Sequence, residues 1–500
     1  MSSALASIAR SRLLAYAIIA LASLRLYAVT DGYALLGMDT YPVIASGLLR
    51  GPEDLVTIFT SPAVPGRVPY AFRGFYRPFV TLSLGIDYAL FGLEPRGYFA
   101  TQAVLFGASA LALYELARRL LGAATFAPLL ALATFLLAPS HVETLAVVAR
   151  RSEPLCAIFG ALALWVETRR IVRGKRLSWL AGAWTLLAVI AKTTGIALLP
   201  AVFVLTLVSL SRATLLARLR AAIVATVPHV VAVAVAFAVQ IAILGEVGGH
   251  ITSRASGGID RLPWALERLA HFLILPQPAL RASAITWLLL FAIALGVVAT
   301  AVLILRRGRD EVARVAGPSF PTLAMAAVWL LGLASLYGAV GLLQGWYVFV
   351  PAMAYALLVG AVAAALVRAM RSATPTLRTA GAATLVALCA WTLWQGRYSM
   401  LVSRYTAVER ASALTAQYVA DLAQRVAAAP DGAVVVVPPP LQKLPPREGE
   451  LVLDGPLLLA EYAFSSWAEC AFPERRVVVH DRRKGEPVAT PDAVTIVFRP

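Results

Sequence analysis

The chain has 500 residues, of which 60% are hydrophobic and 14% charged, and its mean hydropathy is +0.76. These values lie far outside the range of soluble domains and indicate a polytopic membrane protein. The net charge of +17 would suggest nucleic-acid binding in a soluble chain, but much of the Lys and Arg falls in short clusters between apolar runs. This is the pattern of cytoplasmic loops, so we expect membrane lipids and no nucleic acid as partners. The 3 cysteines show no spacing typical of disulfides or of a metal site.

Apolar runs and basic clusters predict about eleven membrane-spanning helices in an inner or plasma membrane, with the N-terminus in the cytoplasm and the C-terminus outside. The stretch from residue 179 to 210 is too long for one span. We divide it at Lys192, because a lysine buried within a single tilted helix would cost a few kcal/mol. The predicted spans are residues 13–30, 98–117, 126–137, 154–166, the two halves of 179–210, 222–244, 285–305, 323–343, 347–367 and 380–393.

Two external segments, 79–93 and 262–280, have one apolar side and predict interfacial helices. From Ser399 the chain changes character, with helical periodicity at 407–429 and short β-like runs at 433–437, 477–479 and 494–498. The sequence therefore predicts an all-α polytopic transmembrane domain (1–398) followed by a small extracytoplasmic α/β domain (399–500).

Charged side chains gather at the predicted outer ends of the spans. Asp39 follows the first span, and His141 and Glu143 lie where the third ends. Several cations are predicted on the same face against the positive-inside bias, where together they can hold a phosphate. They are Arg77, Arg150, Arg151 and Lys192.

Several motifs in this region resemble, in order, those of one family. They are Tyr76-Arg77-Pro78 with the run 82–98 (LSLGIDYALFGLEPRGY), the run 139–145 (PSHVETL) with Arg150-Arg151-Ser152-Glu153, and Ala191-Lys192-Thr193-Thr194-Gly195. They resemble GT-C-type membrane glycosyltransferases, most of all the tetratricopeptide-repeat-containing transmembrane O-mannosyltransferases and their bacterial relatives. The resemblance covers roughly residues 13–200 and is fainter at 345–355.

The resemblance implies a GT-C-like fold and transfer of a sugar, mannose being the commonest case, from a polyprenyl-phosphate donor on the extracytoplasmic face. It also implies that an aspartate of the first external loop, here Asp39, is the catalytic base. No tetratricopeptide repeats follow the last predicted span, so a protein acceptor is not implied, and the acceptor stays open between protein, lipid and glycan.

Each candidate residue also has a plainer interpretation. Asp39 can be a solvated loop residue or a helix cap, and Asp31, the weaker candidate for the base, fits a cap or turn. Glu143 and His141 are candidates for a second acid, for ligands of a divalent cation such as Mg²⁺ or Mn²⁺ held with Asp39, or for partners that orient Asp39. His141 is also a candidate for contact with the substrate. Charged residues at a span end are otherwise interfacial anchors.

The four cations are candidates for the donor phosphate, with anchoring to lipid headgroups as the alternative. Tyr76, Trp346 and Tyr347 are candidates for contacts with the substrate or its polyprenyl chain, although aromatic residues are common at membrane interfaces. A transporter or flippase is the competing class; such proteins carry charges within the spans, whereas the acids here are predicted in external loops. A non-catalytic scaffold with a sensor domain is a third alternative, and it predicts that Asp39→Asn is silent.

Overall fold

The structure, a computed structural model, describes most of the chain. Most of the glycine-rich external loop and the strand predicted at 494–498 lie outside the described residues. The described residues are 12–65, 74–122, 126–210, 213–247, 258–306, 315, 317–371, 374–428, 434–437, 447, 450–451, 458–474 and 478–481.

The described residues are mainly α-helical, and they contain four short 3-10 segments and two strands. The α-helices are α1 Arg12–Thr30, α2 Thr40–Ser46, α3 Pro52–Thr60, α4 Pro78–Phe91, α5 Pro95–Leu121, α6 Ala127–Leu136, α7 His141–Leu145, α8 Ser152–Val172, α9 Trp179–Ala191, α10 Leu198–Ser209, α11 Leu215–Leu244, α12 Leu262–Ile274, α13 Pro278–Ala282, α14 Ala284–Leu305, α15 Phe320–Val340, α16 Phe349–Met370, α17 Pro375–Gly396, α18 Thr406–Ala428 and α19 Glu461–Ala471. The 3-10 segments are Val148–Arg151, Thr193–Ala197, Ile259–Arg261 and Gly345–Val348. The strands are β1 Val434–Val437 and β2 Val478–Asp481.

The predicted all-α polytopic architecture is confirmed, but fewer helices than predicted can cross a membrane on their own. Among the described residues, 7 helices are long and apolar enough: α1, α5, α11, α14, α15, α16 with the turn before it, and α17. The other four predicted spans are α6, α8, α9 and α10. Helix α6 has 10 residues and is about 15 Å long, roughly half the thickness of the hydrocarbon layer. Helices α9 and α10 are similarly short, and α8 carries charges at both ends.

The division of residues 179–210 at Lys192 is confirmed. The backbone of Lys192 is extended (φ −159°, ψ 130°), so α9 ends there and a 3-10 turn leads into α10. Val189 near the end of α9 packs against Val233 in the second half of α11. Leu207 near the end of α10 accepts a hydrogen bond of 2.8 Å from Arg218 near the start of α11. Helix α10 therefore runs back along α11, away from the turn at Lys192.

Two helices occur where interfacial helices were predicted. Helix α4 matches the first, and the second is split into α12 and the short α13. Helix α12 buries one face, formed by Ala265, Leu269, Phe272 and Leu273, which fits an amphipathic helix. Their depth in the membrane stays a prediction.

The C-terminal part contains the predicted helix, as α18, and two of the predicted strands. Strands β1 and β2 pair in parallel, with Val434 opposite Val478. Helix α19 lies between them in the sequence and was not predicted. It packs against α2, and its Phe464 and Trp467 side chains are 2% and 3% exposed. The division into two domains stays a prediction, and α19 is packed closely against the first of them.

Candidate functional site

The loops predicted to lie on the outer face meet at one end of the helix bundle. The loop with Asp39 leads into α2, and the loop with Glu143 contains α7 and the 3-10 turn to Arg151. A third loop, Gly345–Val348, joins them, since the Thr144 hydroxyl donates a 3.2 Å hydrogen bond to the Trp346 carbonyl oxygen. Which side of the membrane this end faces stays a prediction.

Asp39 occupies the N-cap position of α2, but its side chain makes no capping hydrogen bond. Instead, its Oδ1 accepts a 2.9 Å hydrogen bond from the hydroxyl of Tyr462 in α19. The Asp39 carboxylate is therefore directed toward neighbouring side chains and does not serve as the cap that the sequence left as an alternative. Asp31, the weaker candidate, forms an exposed ion pair of 3.0 Å with Arg96.

Glu143 is buried beneath the Gly345–Val348 turn, with only 5% of the residue exposed. Its carboxylate lies directly against Gly345, where a Cβ would overlap both of its oxygens. Glycine at position 345 therefore leaves the space that this carboxylate needs. Burial and the Glu143 charge both raise the pKa of the neighbouring Tyr405 hydroxyl, which thus stays protonated.

Arg150 links the two candidate acids. It donates a hydrogen bond to the main-chain oxygen of Glu143, and its guanidinium lies 4.2 Å from the centre of the Trp346 ring. Burial lowers the pKa of Arg150 to about 10, and the charges of Glu143 and Asp39 act to raise it. Arg150 is therefore a cation at neutral pH, and it lies within electrostatic reach of both carboxylates.

We expect Gly345→Ala to disturb this site without unfolding the protein. The new methyl group meets the end of the Glu143 side chain, which can move. A displacement of about 1 Å at a catalytic site can cost roughly 100-fold in rate, so the sugar transfer predicted from the sequence should fall by up to about 100-fold while detergent-extracted protein stays folded.

Gly160→Ala is the matched control, because its Cβ would lie 3.5 Å from Leu198, an ordinary contact distance. Equal transfer rates for the two alanine variants would contradict this assignment of Gly345.

Lys192 lies close to this group but is itself buried. It forms an ion pair with Glu153, and its ammonium lies 4.3 Å from the centre of the Tyr347 ring. Arg77, at the start of α4, acts electrostatically on Lys192, Glu153 and Tyr347. The two cations therefore share one location, and one carboxylate is paired there with Lys192.

A pocket of about 230 Å³, including the space at its mouth, opens where Arg77 and Lys192 meet. Tyr76 and Gln240 also line it, and the Tyr76 hydroxyl donates a 3.0 Å hydrogen bond to the Phe59 carbonyl oxygen. The pocket therefore combines two positive charges with polar side chains.

Arg151 differs from its neighbour Arg150, and its predicted contact with a donor phosphate needs correction. The residue is 0% exposed, and its guanidinium pairs with Asp87. It also donates hydrogen bonds to the carbonyl oxygens of Ser83 (3.2 Å) and Tyr98 (2.9 Å). These contacts connect α4 and α5 to the start of α8. They indicate that Arg151 stabilises the fold and is not available to a donor phosphate.

His141 likewise points away from any open site. Its ring is 2% exposed and lies among Phe106, Phe135 and Phe349, with ring centres 5.7, 4.6 and 4.5 Å away. Burial lowers the pKa of His141 to about 3, so the ring is neutral at physiological pH. This cage does not favour the predicted substrate contact.

Trp346 and Tyr347 contact the cations of the site. Trp346 contacts Arg150, and Tyr347 contacts Lys192 and stacks on Tyr337 at 5.8 Å between ring centres. Contact with a polyprenyl chain stays a prediction for both. The position of the two rings favours a role in holding the cations, which a cation–π contact stabilises by about 0.5–2 kcal/mol.

The donor set does not fit the divalent cation proposed between Asp39 and Glu143. Arg150 already supplies positive charge within reach of both carboxylates. Among the residues that the structure describes, no group of three or more His, Cys, Asp or Glu side chains could hold a metal ion. We therefore derive no step through a metal.

Sequence reasoning did not assign several residues at or near this site. Glu153 belongs to the Arg150-Arg151-Ser152-Glu153 motif, but the sequence did not indicate a role for it. Tyr462 lies more than 400 residues from Asp39 in the sequence, and no motif surrounds it. A polar cluster inside the bundle was also missed: His229 lies 3.2 Å from Glu167, which in turn pairs with Arg170. His229 lies in a predicted span, whereas Glu167 and Arg170 lie just beyond the predicted end of the fourth span, in the last turns of α8.

No family model matches the chain, and no curated protein matches it at a significant level. Among solved structures it is similar to the crystal structure of ArnT from Cupriavidus metallidurans bound to undecaprenyl phosphate, with 17% identity and a TM-score of 0.44. The match covers 92% of this chain and 88% of that one. A similarity at this level does not establish the substrate of the present chain, which its own residues have to indicate.

Proposed function

We propose that the chain is a membrane glycosyltransferase that transfers a sugar from a polyprenyl-phosphate donor to an acceptor hydroxyl. The observation that carries the proposal is the meeting of Asp39, Glu143 and Arg150 with the Arg77–Lys192 pocket at one end of the helix bundle. These groups come from distant parts of the chain, and they combine a base with cations in a largely water-excluded place. Such a combination suits a reaction that moves a proton and releases a phosphate.

In the proposed reaction, Asp39 accepts the proton of the acceptor hydroxyl. The acceptor oxygen forms a bond to the anomeric carbon of the sugar, and the bond between that carbon and the phosphate oxygen breaks. The lipid phosphate leaves with the electron pair of that bond. Because phosphate is a good leaving group, the enzyme has to supply a base and charge stabilisation, and no covalent intermediate is needed.

The departing phosphate is assigned to the pocket between Arg77 and Lys192. Arg77 offers a planar fork of N–H donors to phosphate oxygens, whereas Lys192 contributes a point charge. Because its planar fork can bond two phosphate oxygens at once, Arg77 is the cation that we expect to contribute most to donor binding. Arg150 interacts electrostatically with both carboxylates, and its role in the proposal is to stabilise their negative charge.

We expect Arg77→Gln to raise the KM for the lipid donor by about 10-fold to 100-fold, because a hydrogen bond to a charged group is worth about 1.5–3 kcal/mol. The measurement is donor saturation with the purified, full-length chain in lipid nanodiscs. Arg96→Gln is the control, since Arg96 is an exposed arginine paired with Asp31. A donor KM that stays at the wild-type value in Arg77→Gln would contradict the assignment of the donor phosphate to this pocket.

The function itself is tested with a panel of undecaprenyl- and dolichyl-phosphate hexoses, labelled in the sugar. Membranes that contain the chain are compared with membranes that lack it. We expect label to leave at least one of these lipids and to appear on another molecule. Movement of an intact labelled lipid between leaflets would support a flippase instead, and failure to cleave any donor of the panel would overturn the proposal.

A further inference from the structure

A C-terminal helix reaches the candidate base from the far end of the sequence. Helix α19 packs against α2, the helix that Asp39 precedes. Its Tyr462 side chain is half-buried, and the hydroxyl donates a 2.9 Å hydrogen bond to Asp39 Oδ1. The C-terminal part of the chain therefore contributes a polar group to the first external loop.

Helix α19 is held firmly. Phe464 and Trp467 bury their rings in the main hydrophobic core. The Tyr88 hydroxyl of α4 donates a 2.7 Å hydrogen bond to the Cys470 carbonyl oxygen near the end of α19. An element with this much buried aromatic surface does not detach easily, since removal of one such ring costs about 3–5 kcal/mol. Tyr462 thus belongs to the fixed part of the site.

We propose that Tyr462 is a positioning residue that fixes the orientation of the Asp39 carboxylate for proton transfer, so that α19 completes the active site. This inference rests on the proposed function of Asp39. A carboxylate can rotate about its side-chain bonds, and a hydrogen bond from a rigidly packed phenol restricts it to one orientation. Tyr462 acts through Asp39 and does not itself contact the sugar in this scheme.

The first test needs no substrate. We expect Tyr462→Phe and Asp39→Ala to be coupled in a double-variant cycle of thermal unfolding of the detergent-solubilised full chain, because both remove the same hydrogen bond. Tyr88→Phe is the matched control: it removes a phenol hydroxyl that also bonds to α19 but not to Asp39. Its effect should add to that of Asp39→Ala. Additive effects of Tyr462→Phe and Asp39→Ala would overturn the inference.

The second test uses whichever labelled polyprenyl-phosphate hexose the chain cleaves. We expect Tyr462→Phe to lower kcat about 10-fold to 100-fold with the donor KM unchanged. Tyr88→Phe should keep the wild-type kcat and KM. A wild-type kcat in Tyr462→Phe would overturn the inference alone, whereas full activity of Asp39→Asn would overturn the proposed function.

Discussion

Asp39→Asn is expected to reduce sugar transfer by about 10²-fold to 10⁴-fold, the usual contribution of a general base. The substituted amide is close in shape to the carboxylate and can still accept the hydrogen bond of Tyr462, but it cannot take a proton from the acceptor. Expression and detergent extraction should therefore stay near the wild-type level. The measurement is the initial rate of label transfer from a polyprenyl-phosphate hexose, normalised to the amount of folded protein.

Asp31→Asn is the control for this variant, because it makes the same change in the same loop. Asp31 pairs with Arg96 at the surface, and its side chain is 53% exposed. Exposed ion pairs contribute about 0–1 kcal/mol, so neither stability nor transfer should change measurably. If Asp39→Asn transferred sugar as fast as Asp31→Asn does, the base would have to be sought elsewhere, and a non-catalytic scaffold would become the better interpretation.

Arg151→Gln is expected to destabilise the protein by about 3–5 kcal/mol, because it leaves the buried Asp87 carboxylate without its cation. The change also removes hydrogen bonds to the main chain of α4 and α5. We expect little monodisperse protein after detergent extraction and a lower temperature of thermal aggregation.

Two further variants distinguish this effect from a loss of catalysis. The pair Arg151→Met with Asp87→Leu removes both charges together, which can be close to neutral for a buried ion pair, and it should recover part of the folded protein. Arg150→Gln should extract well and lose transfer activity. If Arg151→Gln were extracted normally but had lost donor binding, Arg151 would have to be assigned to the phosphate site after all.

Hydrophobic periodicity and loop charge predicted the helices well, since the membrane forces each span to satisfy its own backbone. The same signals could not give helix length accurately, because α6, α9 and α10 each pack against a longer helix and need not cross the bilayer alone. The break at Lys192 was predicted from the cost of burying its charge, but the structure buries Lys192 and offsets that cost with its ion pair to Glu153. Helix α19 was not predictable from the sequence, because its apolar residues are arranged for contact with α2, which is distant in sequence.

The site was predictable only in part, for a similar reason. A motif identifies charged residues but not their partners, so Arg150 and Arg151 looked equivalent until one proved to face the carboxylates and the other to pair with Asp87. His141 looked like a ligand by type, yet it is enclosed by three phenylalanine rings. A role that depends on the direction of a side chain can be assigned only when the fold is known.

The hydrogen bond between Asp39 and Tyr462 joins residues 423 positions apart, and under the proposed function this separation constrains when a chain becomes fully active during biosynthesis. At about 5–20 residues per second, a ribosome needs roughly 20–85 s to pass from one codon to the other. During that time the first loop is already outside the ribosome without its phenol partner. Full activity therefore begins only after α19 has been synthesised and has docked against α2.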